Sequence, residues 1–412
     1  MCGRLVLLLA RGYVWMGVFR LNVAYLSARV ASLETSPIRK LIDLVGKMPD
    51  VIRLHAGEPD FDTPLCIREA AKNALDCGYT HYAHTAGLLE LREAIAEKAW
   101  EDNRVEADPE TEITVTCGGF GALFATFLSV LNSGDEVLVA EPCWPSYKGF
   151  IRLAGGVPVF VKLAPPDYAL DATSVQGKIT ERTKMVVLNN PNNPTGAVYD
   201  LPQLQVVASL AREHDLLVLA DEVYEKIVYD DTRHHGFAGV PGMHDRTITV
   251  NSFSKTYAMT GWRVGYAIAN PQITGAIRRV HSYTMSCVSP AYQKAAVTAL
   301  IRAQDRVQQM VNEYKERRNI AVEALNRVPG LRCVKPHGTF YLFPDIRGLG
   351  LPSAILAEQL LTKAKVATIP GSAFGPRGEG HLRISVAASR GDLVEAVKRI
   401  DDFARRLPSG VD

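Results

Sequence analysis

From Ser36 onward the chain alternates between short apolar runs and longer segments with apolar residues at helical spacing. Strand-like runs fall at residues 113–116, 136–140, 157–161, 185–188, 216–219 and 247–250. Helical spacing marks residues 67–75 and 88–100, helices separate most of the strands, and a long helical stretch runs from about Pro290 through Arg318 and beyond. Two later strands are expected at residues 338–343 and 382–386. This order predicts an α/β fold with a mainly parallel sheet flanked by helices and a smaller α/β domain. A large domain at residues 66–300 is expected. Residues 24–65 join 301–412 in the small one. No internal repeat or low-complexity segment interrupts the pattern.

Residues 1–23 do not share this pattern. Their apolar run at residues 5–10 is short and Arg11 interrupts it, so neither secretion nor a membrane span is supported. The expectation is an appended leader, or an upstream start codon with Met16 as the true one.

Composition changes the picture only by exclusion. A net charge of +2 gives no reason to expect nucleic acid or an anionic membrane as partner. Seven cysteines without CxxC or Cys/His spacing argue against a disulfide framework and a zinc site. A reducing cytoplasm is the expected compartment.

The chemistry gathers where the strands stop. In open α/β sheets ligands bind outside the carboxyl ends of the strands, and here those ends meet EPCWPSY, NNPNNPTG and DEVYEK. The strand at 113–116 runs into CGGFGAL, where Gly118 and Gly119 let backbone N–H groups converge on an anion. Lys255 follows the strand at 247–250 among Ser252, Ser254 and Thr256, with Arg263 beyond. Asp221, Tyr224, Asn193, Trp144 and Arg383 occupy other strand ends and loops. Pyridoxal 5′-phosphate fits this set best. It needs a lysine for its aldehyde, an acid for its ring nitrogen, donors to its phenolate oxygen, an aromatic platform and a dianion site.

From about Tyr25 onward the chain resembles the class I aminotransferases of pyridoxal phosphate fold type I. It is most similar to their bacterial and archaeal aspartate-aminotransferase-like subgroup. The similarity is carried in order by SPIRK, GEPDFDTP, YAHTAGLLELREAIA, TCGGFGAL, NNPNNPTGAVY, LADEVYE, SFSKTYAMTGWRVGY, PHGTFYLF and HLRISVA. The resemblance implies transfer of an α-amino group from an amino acid to a 2-oxo acid by a ping-pong cycle. Under it Lys255 carries the cofactor and moves a proton. Asp221 keeps the pyridine nitrogen protonated, and Asn193 and Tyr224 donate to the phenolate oxygen. Trp144 stacks on the ring. Ser252, Arg263 and the backbone of Gly118, Gly119 and Phe120 hold the phosphate, which Tyr82 reaches across a homodimer interface with shared active sites. Arg383 grips the substrate α-carboxylate as a planar fork, Gly57 adds a backbone contact, and Phe340 lines the pocket.

Two departures stand out. Phe120 follows the glycine pair where relatives often place a polar side chain, and SCVSP near Ser289 has no arginine for a distal carboxylate. Aspartate, aromatic and alanine-type donors therefore stay open. C–S β-lyases share much of the motif set and offer a second reading. A non-catalytic cofactor-binding regulator is the third, for which the residues ahead of the fold are too few to form a DNA-binding domain.

Overall fold

The computed structural model describes residues 25–31, 33 and 37–407, so the leader and the choice between Met1 and Met16 lie outside the described residues. A short helix, Ala28–Ala31, belongs to an N-terminal unit that ends at Leu33. Every other element belongs to the unit that starts at Glu34.

The described strands are β1 (Ile52–Arg53), β2 (Ile113–Cys117), β3 (Glu136–Glu141), β4 (Val157–Ala164), β5 (Ala169–Leu170), β6 (Thr183–Asn189), β7 (Leu217–Asp221) and β8 (Thr247–Ser252). They continue with β9 (Val264–Ile268), β10 (Tyr341–Leu342), β11 (Val366–Ala367), β12 (Ile369–Pro370) and β13 (Leu382–Ser385). One sheet of eight strands runs in the order β2-β9-β8-β7-β6-β3-β4-β5. From β8 to β4 every pairing is parallel. The edge strand β5 and the inserted β9 run antiparallel to their neighbours. The expected mainly parallel sheet is present.

Both faces of this sheet are covered, as near-continuous apolar strands require. Val137, Val139, Met185, Val187, Ile248 and Val250 face a core shared with the helices Gly118–Val130 and Pro271–Thr284. Leu138, Ala140, Val186, Leu188 and Val218 face the opposite core and the helix Leu201–Glu213. Residues 137 and 138 point to opposite faces because strand side chains alternate. The helix Leu201–Glu213 begins with a reciprocal cap. The Asp200 carboxylate accepts from the Gln203 N–H at 3.0 Å and the Gln203 side chain accepts from the Asp200 N–H at 3.1 Å.

There are two small sheets, β1-β11 and β10-β13-β12; Ile52, Val366, Tyr341, Leu342, Leu382 and Ile384 pack in a third core with helices Gln304–Leu325 and Arg390–Ala404, while Ile369 of β12 packs in the core of helix Leu201–Glu213. Two expected elements are shorter in the structure. The helical stretch after Pro290 is two helices, Pro290–Arg302 and Gln304–Leu325, parted at Ala303. The strand expected at 338–343 keeps only Tyr341 and Leu342. Thr339 sits at φ +60°, a left-handed turn that no strand residue adopts, and its N–H is diverted to Ile227 O. Among the described residues no helix is long and apolar enough to cross a membrane.

Candidate active site

The strand ends explain the gathering. β3, β6, β7 and β8 are parallel, so Trp144, Asn193, Asp221 and Lys255 all emerge at one edge of the sheet. β9 runs the other way and brings its beginning to that edge, pairing Gly265 with Ser252 and Val264 with Cys117. Arg263, one residue before β9, is thereby set beside the first turn of helix Gly118–Val130.

That junction is tight. Gly118 has φ +66°, and a Cβ added there would lie 2.5 Å from the Arg263 guanidinium. A Cβ on Gly265 would lie 2.5 Å from the Gly118 carbonyl carbon, so both positions need glycine for close approach. Ser252 caps the short helix Phe253–Thr256, its hydroxyl accepting from the Ser254 N–H at 3.1 Å. A helix N-terminus of thirteen residues, a guanidinium and a hydroxyl thus share one corner.

Asp221 is buried, 3 % exposed. Tyr147 O–H donates to its Oδ2 at 2.5 Å and the Val223 N–H approaches Oδ1 at 3.4 Å. Burial pushes its pKa up to about 6 against the help of Tyr147. Its hydrogen-bond partners are neutral, so the carboxylate lacks a counter-charge in direct contact.

Lys255 is half-buried, and its Nζ donates to Gly57 O and lies 5.9 Å from the ring centres of Tyr224 and Phe340. Burial and the Arg383 guanidinium pull its pKa down to about 8, opposed by Glu58 and Asp221. An amine tuned this way is a nucleophile near neutral pH. Tyr224 is buried with its hydroxyl 3.0 Å from that of Tyr341, and burial keeps it protonated.

Arg383 is 3 % exposed. It donates to Asn193 Oδ1 at 3.1 Å and His55 O at 3.0 Å, lies 4.2 Å from the Tyr341 ring centre, and leaves its buried Nε without a partner. Burial and Arg383 together lower the His55 pKa to about 4, so that ring stays neutral. Trp144 meets Tyr147 edge-on at 5.3 Å and Phe120 at 4.9 Å. Phe340 is fully buried against Tyr224, Tyr314 and Tyr341.

The chain thus brings Lys255, Asp221, Tyr224, Asn193, Arg383, Phe340 and Gly57 into one connected group, with Gly118, Gly119, Ser252 and Arg263 in the adjoining corner. Tyr82 is not among them; in the single chain it is 90 % exposed. Sequence reading missed Tyr147, Tyr341 and His55. Tyr147 stands three residues after Trp144 in EPCWPSY, and Tyr341 directly follows Phe340, so both were within the stretches singled out.

A family model described as aminotransferase class I and II matches residues 49–400. The chain belongs to that family. Its relatives include an aspartate aminotransferase of Pyrococcus abyssi, 45% identical over 383 residues that cover 92% of this chain and 98% of the relative. Another is the aromatic-amino-acid aminotransferase 2 of Thermococcus litoralis, 43% identical over 379 residues, 91% of this chain and 97% of the relative. The crystal structure of an aromatic aminotransferase from Pyrococcus horikoshii superimposes with a TM-score of 0.85 at 45% identity, covering 89% of this chain and 98% of that one.

This aminotransferase is an enzyme that depends on pyridoxal phosphate. Its residues fit the cofactor. A buried carboxylate without a contacting counter-charge suits a pyridinium, the corner at Gly118, Ser252 and Arg263 suits a phosphate dianion, and Lys255 supplies the amine. The C–S lyase alternative is not favoured by relatives that are aminotransferases by name.

Proposed function

We propose that this aminotransferase takes the α-amino group of an amino acid with an aromatic or other apolar side chain and passes it to a 2-oxo acid. When bound, pyridoxal phosphate supplies the electron sink for the pair left behind as substrate Cα loses its proton. Lys255 would take that proton from substrate Cα and return it on the cofactor side. Asp221 would hold the ring nitrogen protonated, with Tyr147 orienting Asp221. Asn193 and Tyr224 would donate to the phenolate oxygen, and Trp144 would form the platform. The backbone of Gly118, Gly119 and Phe120 would hold the phosphate together with Ser252 and Arg263.

The observation that carries this reading is Arg383. It is a buried guanidinium with an unpartnered Nε and only neutral hydrogen-bond acceptors, which suits a substrate carboxylate. Gly57 lies beside it: a Cβ there would stand 3.9 Å from Arg383 Nη2. Beside the polar Asn193 and Glu58, the aromatic side chains Tyr224, Phe340, Tyr341 and Phe374 surround Arg383 and Lys255, which favours an apolar donor. Arg383→Lys should raise KM for every amino donor about 10- to 100-fold, since an ammonium cannot reproduce the bidentate fork, and leave the cofactor spectrum unchanged. Steady-state kinetics over a panel of aromatic, dicarboxylic and small amino acids checks this. An unchanged KM, or a preference for aspartate over phenylalanine and tyrosine, would overturn the corresponding part.

The reading extends to assembly. Tyr82 and Tyr283 are 90 % and 89 % exposed in the single chain, a setting that favours a homodimer in which Tyr82 reaches the partner's phosphate corner. The protomer would divide into a large domain, residues 66–300, and a small domain of residues 24–65 and 301–412, since the eight-stranded sheet draws only on residues 113–268. Six free cysteines among the described residues suit a reducing cytoplasm. Dilution through the dimer dissociation range should abolish turnover, and Tyr82→Phe should loosen cofactor binding. A monomer of full specific activity would contradict the shared site.

A further inference from the structure

A buried charged network stands directly behind the site. The turn after β7 carries Asp221 and Tyr224 on the site side and Glu222 and Glu225 on the other, all four buried. The Glu225 N–H closes the turn on Glu222 O at 2.9 Å. Glu225 Oε1 accepts from Lys98 Nζ and, at 2.6 Å, from Asn251 Nδ2. Its Oε2 accepts from Asn103 Nδ2 at 2.8 Å. Asn251 in turn accepts the Ser252 N–H on its Oδ1 at 2.7 Å. One carboxylate therefore joins three elements: the turn after β7, the end of β8 and the helix Leu89–Asn103. Glu222 holds the far side of the turn, accepting the Phe237 N–H at 2.8 Å, with His234 Nε2 3.5 Å from its other oxygen.

We propose that Glu225 is a positioning residue of this enzyme, fixing the turn that carries Asp221 and Tyr224 against the strand end that carries Ser252 and Lys255. The proposal rests on the cofactor-holding roles of Tyr224 and Ser252. Burial alone would raise the Glu225 pKa, but Lys98, His234 and Asn103 hold it down at about 2, so the anchor stays ionised across the working range. A surface carboxylate next to a catalytic tyrosine could swing freely. This one has donors on both oxygens and cannot move without breaking bonds to the helix and to β8 at once. Such an arrangement places two cofactor-binding segments relative to each other to within a fraction of an ångström, which is the accuracy that positioning in an active site requires.

Glu225→Gln tests it, because the isostere must turn an NH2 towards a donor. In the cofactor-loaded enzyme the pH midpoint of the visible absorbance should move by about half a unit or more. The kcat should fall about 10- to 100-fold with KM within about threefold. Asn251→Ala removes both the donor to Glu225 and the acceptor for the Ser252 N–H while leaving Lys98 and Asn103 on Glu225, and it should move both readouts in the same direction, which keeps the test open if Glu225→Gln fails to fold. Asp102→Asn is the control. It weakens the outer pairs with Lys226 at 2.5 Å and Lys98 at 3.6 Å but leaves every hydrogen bond of Glu225 in place, and should lower thermal stability while leaving midpoint and kcat in place. Unmoved readouts in Glu225→Gln or Asn251→Ala, or equal movement in Asp102→Asn, would overturn the proposal. A wild type that transfers no amino group would instead overturn the functional reading itself.

Discussion

Asp221 shows how a single buried charge prepares a site for its ligand. Its pKa is raised from 3.8 to about 6, chiefly by burial. A carboxyl raised on folding adds stability that is fully present below 3.8 and is lost as pH rises through about 6. At neutral pH the cofactor-free protein therefore carries a strained group, at most about 3 kcal/mol, that a bound cation relieves. Asp221→Asn should make the cofactor-free protein more stable at pH 8, by up to that amount. The gain should shrink as pH falls through 6 towards 4, while affinity for pyridoxal phosphate drops about 100-fold or more. Denaturant unfolding at pH 5 and pH 8, with a cofactor titration, checks both halves. A variant less stable than wild type at pH 8 would show that the Tyr147 bond outweighs the burial of the charge.

At the scale of elements, the packing of β9 against the start of helix Gly118–Val130 shapes the corner proposed for the phosphate. Gly265→Ala would press a methyl group into the Gly118 backbone, since the added Cβ would be 2.5 Å from its carbonyl carbon. Backbone cannot step aside as a flexible side chain can. Overpacking of this kind costs roughly 1–3 kcal/mol, and here the helix N-terminus is what must shift. The expected outcome is a folded protein with weakened cofactor retention, read from absorbance after gel filtration. Wild-type retention would mean that the corner is not set by this contact. Much of this level was legible in the sequence: β2, β3, β6, β7 and β8 are apolar runs that stop at a polar or Gly/Pro cluster, and those clusters hold the site. β9 was not legible. Its apolar residues Val264, Tyr266, Ala267 and Ile268 follow Arg263 directly and are interrupted by Gly265, which reads as a break in a strand, and only its antiparallel pairing explains why Arg263 meets Gly118. Glu225 escaped for another reason: a carboxylate beside Tyr224 reads as solvated surface until its neighbours in the helix Leu89–Asn103 and β8 are seen to enclose it. Thr339 hid the shortening of β10, because a left-handed turn at a threonine has no sequence signal.

Over the whole molecule, the sheet gathers residues from positions 118 to 263 at one edge, and Gly57, Phe340 and Arg383 arrive from the surrounding smaller sheets and loops. The residues proposed to hold the cofactor thus belong mainly to the large sheet, and Arg383, proposed for the substrate carboxylate, to β13. This division matches a cycle in which the cofactor stays while amino and oxo acids exchange. The most direct test of that cycle is a single turnover without acceptor. Cofactor-loaded enzyme is mixed with phenylalanine, aspartate, alanine or cysteine, and the visible band and released oxo acid are followed together. The account predicts loss of the band, about one equivalent of 2-oxo acid per site and no further release until a 2-oxo acid is added, as a ping-pong transfer requires. Lys255→Ala should do none of this. Sustained release of pyruvate from cysteine with no acceptor present would contradict it.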